Sequence, residues 1–334
     1  MSAVRVAVVS DIHFAGPQER LRAGHESAVI GNPLLRLLVG FYRHHIWLRD
    51  VFAHNHLLDY FLQHANGADW VVGNGDFSCD TAFIGPMDDA CRESAALCLD
   101  RLRGEFPERF LAVMGDHELG KKSIFGGAGG MRIKSSELAK GQLGIQPFWV
   151  QDLGVYRLIG VCSSLAALPV FDADLLADEL PLWEERRHEH LERITGAFAQ
   201  LRPNQKVVLF CHDPSALPFL LELDSVREHI GQIEQTIIGH LHSELIVRMS
   251  RYLSGMPHIA FLGSTVNRLS AALRKSKTWK LFKIQLCPSL AGIELLKDGG
   301  FLWLELDPSG EKPLQVSLHP VSRRGLEEPR PKDH

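Results

Sequence analysis

"VMGDHELG" occupies residues 113–120. An apolar strand end runs into Gly115, and Asp116, His117 and Glu118 follow without a spacer. Two carboxylates and an imidazole at the tip of a buried strand each need a partner to be tolerated, so the rest of the chain is read for matching tips. "VRVAVVS" (4–10) ends in Asp11 and His13, "DWVVGN" (69–74) in Asp76, "KVVLFC" (206–211) in His212, and "QTIIG" (235–239) in His240 and His242. These short β-branched runs, with "VYRLIGVCSS" (155–164) and "HIAFLG" (258–263), are bounded by glycine and polar turn residues and read as buried strands. Helical stretches fall between them at 47–63, 86–104 and 180–201, the first with Leu48, Val51, Phe52, Leu58 and Leu62 near helical spacing. Strands alternating with helices predict a layered α/β fold with sheet covered on both sides. In such sheets the carboxyl ends of the strands share one edge, so the five tips should meet in one crevice.

Oxygen and imidazole donors without thiolates suit Mn, Fe, Zn or Ni. A lone Gly-Asp is usually a turn, and a lone Asp-x-His is common. Two histidines two apart, as in "GHLH" (239–242), bring both rings to one side of an extended chain. Five such fragments in order, each at a strand end, point together to a metal site.

Composition narrows the setting. The 334 residues are 45% hydrophobic and 23% charged, which describes an ordinary globular chain with a sizeable core. The six cysteines show no CxxC spacing, and the N-terminus enters a strand pattern at once, so the expectation is a cytoplasmic protein. No run approaches the roughly 18 apolar residues of a spanning helix; "PLLRLLVGFY" (33–42) is the longest candidate. Between Glu244 and Glu294 there is no acidic residue, while Arg248, Arg251, Arg268, Arg274, Lys275, Lys277, Lys280 and Lys283 fall inside. The formal charge of −4 therefore hides a basic stretch on an acidic body, a pattern that hints at an anionic partner.

The ordered set D-x-H (Asp11, His13), G-D (Gly75, Asp76), G-[N/D]-H-E (residues 115–118), H (His212) and G-H-x-H (Gly239, His240, His242) resembles the calcineurin-like metallophosphoesterase superfamily. The resemblance implies a four-layer α-β-β-α sandwich of two mixed sheets and two divalent transition-metal ions, Mn, Fe or Zn. It implies that Asp11, His13 and His242 hold one ion, that Asp116, His212 and His240 hold the other, and that Asp76 bridges them. Two such ions about 3.5–4 Å apart hold a bridging hydroxide and clamp a phosphoryl group for in-line attack. The resemblance casts His117, next to a ligand yet spare, as the catalytic group that protonates the leaving oxygen or stabilises the phosphorane-like state. Glu118 is expected to orient a ligand imidazole.

The chain departs from that pattern twice. The family's usual Asn is Asp116 here, so the inner carboxylates and a hydroxide balance two divalent ions, and a neutral centre should draw phosphate less strongly or suit Fe(III). Asp11 and Asp76 are also separated by more than a strand–helix–strand unit of about 30 residues needs. The surplus, a helical insert at about 15–46, contains "NPLLRLLVGFYRHHIWLRD" (32–50). It reads either as a lid-like packed helix or as a hydrophobic cap or interfacial helix that receives an acyl chain or a membrane surface.

The expected function is metal-dependent hydrolysis of phosphoester or pyrophosphate bonds, on a phosphate-containing small molecule or a lipid-linked, amphiphilic anionic substrate, with peripheral contact to the inner face of an anionic membrane. A UDP-2,3-diacylglucosamine-type pyrophosphatase of lipid A assembly and a nuclease are alternatives; the acidic body disfavours nucleic acid, although Trp279 and Phe282 in the basic stretch suit stacking. A protein Ser/Thr phosphatase is disfavoured because residues 77–80 are Phe-Ser-Cys-Asp where that family carries Val-Asp-Arg-Gly. A catalytically inactive scaffold on the same fold would be expected to have lost ligands. The chain is read as one domain over 1–322, with a C-terminal strand pair at about 299–321 and a loose tail at 323–334. Asp80 reads as a turn or cap residue; His54, His56, His188, His190 and His319 read as solvated or packing residues. "FGGAGG" (125–130) reads as a phosphate cradle or a flexible loop.

Overall fold

Apart from Arg5, strand β1 (Val4–Val9) carries no polar side chain, because both of its faces are covered. The computed structural model describes residues 3–22, 24–123, 127–242 and 276–321. Among these described residues nine further strands follow: β2 (Trp70–Gly73), β3 (Phe110–Ala112), β4 (Phe148–Leu153), β5 (Tyr156–Val161), β6 (Lys206–Cys211), β7 (Ile233–Ile238), β8 (Ile284–Leu286), β9 (Gly300–Leu306) and β10 (Gln315–Pro320). They form two five-stranded sheets in the orders β10-β9-β1-β2-β3 and β4-β5-β6-β7-β8. Each sheet is mixed: β1, β2 and β3 are parallel and so are β5 to β8, while β9, β10 and β4 pair antiparallel with their neighbours.

Alternation along β1 defines the layers. Val6 and Val8 share an apolar core with Tyr156, Leu158, Val208, Phe210 and Ile237 of the second sheet. Ala7 and Val9 belong instead to the core that includes Leu57, Leu58 and Phe61 of the His56–His64 helix and Leu99 of the Asp89–Glu105 helix. Phe61 meets Phe301 of β9 edge to face at 5.0 Å. This is the two-sheet sandwich with flanking helices that the sequence predicts.

Some elements differ from expectation. The stretch 47–63 is helical only from His56, because Asn55 is engaged elsewhere: its Oδ1 accepts from Ala15 N at 2.9 Å and its Nδ2 donates to Ala15 O at 2.8 Å. Strand β4, hydrogen-bonded antiparallel to β5, is absent from the sequence reading because it is an edge strand with alternating exposure. The insert holds a helix at Pro33–His45, capped by Asn32 Oδ1, which accepts from Leu34 N and Leu35 N. The strand pair expected at 299–321 is β9 and β10, closed by Asp307, which accepts from Ser309 N and Lys312 N. "HIAFLG", most of the basic stretch and the 323–334 tail lie outside the described residues. Among the described residues, no helix is long and apolar enough to cross a membrane.

Candidate metal centre

The tips of β1, β2, β3, β6 and β7 meet at one edge of the sandwich. Asp11 N donates to Gly75 O at 3.1 Å, His13 N to Asp76 O at 3.0 Å, and Gly239 N to His212 O at 2.9 Å. The two sheets are joined directly where His240 N donates to Asp11 Oδ2 at 3.1 Å. Asp11, His13, Asp76, His240 and His242 all adopt left-handed backbone, with φ of 50°, 48°, 58°, 58° and 57°. Each costs on the order of 1–3 kcal/mol and persists only where the surroundings over-determine it. The motif glycines permit the crowding: a Cβ on Gly115 would overlap Asp76 Oδ1, and one on Gly239 would overlap Ser10 Oγ.

The polar atoms divide in a consistent way. Asp11 gives Oδ2 to Ser10 Oγ and His240 N, Asp76 gives Oδ1 to His117 N, and Asp116 gives Oδ2 to Lys121 Nζ. The other oxygen of each, Asp11 Oδ1, Asp76 Oδ2 and Asp116 Oδ1, is buried without a hydrogen bond. His212 Nε2 stands 3.2 Å from Asp76 Oδ2 and 3.3 Å from Asp116 Oδ1, and His240 Nδ1 is 3.3 Å from Asp116 Oδ1. His242 Nε2 is 3.2 Å from Asp11 Oδ1 and 3.4 Å from His13 Nε2. Donor atoms of Asp76, Asp116, His212 and His240 thus lie within 4.8 Å of one another, and so do those of Asp11, His13 and His242. Unsatisfied buried oxygens and imidazole nitrogens converging in two adjacent groups are what a pair of cations fits.

Contacts behind the donors hold them in place. Asn74 O lies 2.6 Å from His212 Nδ1, which as the protonated nitrogen leaves Nε2 facing the carboxylates. Burial holds His13 down to about 3, so its ring is neutral. For His212 burial pulls the same way, yet Asp76 and Asp11 raise it well above the usual imidazole value; bare, it carries a proton that a cation would displace.

Glu118 plays a different part from the one expected. Its Oε2 accepts from Gly115 N at 2.8 Å and Asp76 N at 3.0 Å, and its Oε1 from Phe77 N at 2.9 Å. It clamps the β2 and β3 tips by their backbones and, among the described residues, bonds to no imidazole. His117 has Nδ1 3.1 Å from Ser78 O and Nε2 3.7 Å from Asp76 Oδ2. It also lies close enough to His13 and Asp76 for donor atoms of the three to cluster. Asp80 caps its own loop, accepting from Ile84 N and Gly85 N. Asp213 Oδ2 faces His240 Nε2 at 3.8 Å. In the glycine-rich segment, Gly130 N donates to Phe83 O, and a Cβ on Gly129 would overlap Phe83.

Two residues of the site escape the motif reading. Lys121 pairs with Asp116 at 2.7 Å. Trp47, at the end of the insert, places its ring 4.7 Å from that of His242. Both line a cavity of about 160 Å³ that also touches His13, His117 and His242 and is walled on the insert side by Ile30, Val39, Leu48 and Val51. The only sequence signal for either was proximity: a lysine shortly after an acidic ligand position, and a tryptophan ending an apolar insert.

A two-sheet α/β sandwich with a buried Asp/His crevice at its strand ends defines a metal-dependent phosphoester hydrolase. The chain belongs to the calcineurin-like phosphoesterase family, whose model matches residues 4–244. Among solved structures it is similar to a dimetal phosphatase from Danio rerio, at 12% identity over 96% of this chain and 98% of that one, with a TM-score of 0.48. It is also similar to GAP50, the anchor in the inner membrane complex of Plasmodium, at 12% identity over 98% of this chain and 87% of that one, with a TM-score of 0.47. No curated protein matches it.

Proposed function

We propose that this chain hydrolyses phosphoester or pyrophosphate bonds at a two-metal centre in which Asp11, His13 and His242 hold one ion, Asp116, His212 and His240 hold the other, and Asp76 serves both. The observation that carries the reading is the division of the three carboxylates, each with one oxygen engaged by the protein and the other bare toward the imidazoles. When bound, two divalent cations neutralise the phosphoryl charge and activate water for in-line attack. The protein's own groups do the rest. Asn74 O and Ser78 O orient the rings of His212 and His13. His117, on the cavity side, holds a proton for the leaving oxygen. Trp47 and the apolar wall exclude water there and receive a non-polar part of the substrate, which supports an amphiphilic anionic substrate.

The outer face of the Pro33–His45 helix supports peripheral contact with an anionic membrane: Leu34, Leu37, Leu38 and Phe41 are exposed, and residues 27–49 contain Arg36, Arg43 and Arg49 but no acid. The deciding experiment measures metal content and then hydrolysis of phosphomonoesters, diesters, nucleotide-sugar pyrophosphates and single-stranded DNA with Mn²⁺. About two ions per chain, a chelator-sensitive activity, and the largest metal loss for Asp76→Ala are expected. Full activity in metal-free protein would overturn the reading.

A further inference from the structure

Lys121 is a charged residue of the crevice that the reaction above leaves without a task. Its Nζ is 2.7 Å from Asp116 Oδ2, and its backbone N–H is aimed at Asp80 Oδ2 at 3.4 Å. Asp80 is itself anchored by the N–H groups of Ile84 and Gly85, so the lysine departs from a held loop. Asp116 is 4% exposed, and the oxygen that Lys121 leaves alone is the one 3.3 Å from both His212 Nε2 and His240 Nδ1. A carboxylate is free to offer a cation one oxygen or both; an ammonium on Oδ2 leaves one. Lys121 also lines the cavity beside His13, His117 and His242.

We propose that Lys121 is a positioning residue that acts with Asp116 as one unit: it presents a single carboxylate oxygen to the centre and cancels that carboxylate's charge, so that the centre stays net positive toward an entering phosphoryl group. The pair does with two charges what a neutral asparagine amide does with none. The neutral centre expected from the sequence omitted this cation; counting it makes the total one unit positive. The proposal rests on Asp116 being a metal ligand, as in the reading above.

A charge cycle tests it, with inorganic phosphate titrated calorimetrically into Mn²⁺-loaded protein and KM and kcat measured on one chromogenic phosphoester. K121M should weaken phosphate binding on the order of tenfold and D116N should tighten it by a similar factor, because each moves the site by one unit charge. D116N/K121M should return to within about threefold of wild type, and K121R should stay close to it. The loss in K121M should fall on KM more than on kcat. Unchanged phosphate affinity in K121M, or a double variant as weak as K121M, overturns the proposal. Metal content separates the two readings: if D116A keeps both ions the ligand assignment falls, whereas loss of one ion in D116A with an indifferent K121M removes only the role of Lys121.

Discussion

His117 and Glu118 are neighbours in the chain, yet the fold gives them opposite duties. Burial pulls His117 toward the neutral form, but Asp76 and Asp116 more than offset it and raise its pKa above the ordinary imidazole value. Burial and Asp76 push Glu118 up to about 7, against the N–H groups it clamps. The proposed mechanism gives the histidine a proton to donate, while the contacts of the glutamate are architectural. His117→Ala should therefore keep both metals and lower turnover by about 10²–10⁴-fold, the usual range for a positioned acid. On the proposed mechanism the protonated ring is the active form, so wild-type activity should fall as pH rises through its pKa, and that alkaline limb should flatten in the variant. Metal loss parallel to the loss of rate would instead make His117 a ligand. Sequence reading located both residues, because Gly-Asp-His-Glu at a strand end is a local pattern. It misjudged the glutamate's partners, because backbone N–H groups leave no mark in side-chain identity.

Among the elements, the parallel strands other than β8, the β9–β10 pair and the Asp89–Glu105 and Leu180–Ala199 helices were legible, whereas β4, β8 and the start of the His56–His64 helix were not. The buried parts of β1 and β6, residues 6–9 and 207–211, are unbroken apolar runs, and β7 closes on the buried Ile237 and Ile238. β4 alternates between buried and exposed positions at an edge, and residues 47–55 repeat apolar side chains near helical spacing while Asn55 bonds to Ala15. The insert helix combines both kinds of information. Val39, Tyr42 and Arg43 line the catalytic cavity, and Arg43 is fixed to Glu26 at 2.7 Å, while Leu37 and Phe41 are 70% and 62% exposed. An apolar stripe turned outward over a catalytic cavity makes a specific prediction. The protein should sediment with phosphatidylglycerol vesicles but not with neutral phosphatidylcholine, and added salt should release it. Leu37→Glu with Phe41→Glu should weaken that binding about tenfold or more, since two burying side chains become charged, and should leave hydrolysis of a small chromogenic ester intact. No sedimentation with anionic vesicles at low salt would remove the membrane role.

At the scale of the molecule, the crevice is a joint between two sheets. Asp11, His13, Asp76 and Asp116 come from the tips of the β1–β2–β3 side, and His212, His240 and His242 from the tips of β6 and β7. Each of the two donor groups takes members from both sides. Without a cation, that arrangement holds the bare oxygens of Asp11, Asp76 and Asp116 together beside five left-handed residues, and direct bonds such as His240 N to Asp11 Oδ2 cross the joint. Binding to the folded chain alone stabilises it by about 4 kcal/mol at a ligand concentration a thousandfold above Kd. In a chain of this size that corresponds to roughly several degrees in Tm. Chelation should thus lower Tm by several degrees, and amide exchange should accelerate at the tips of both sheets together. Asp76→Ala should abolish most of the metal-dependent rise, because its bare oxygen faces His212 across the joint. A chelated protein with unchanged Tm, or faster exchange confined to one sheet, would show that the two halves are held by their apolar interface alone.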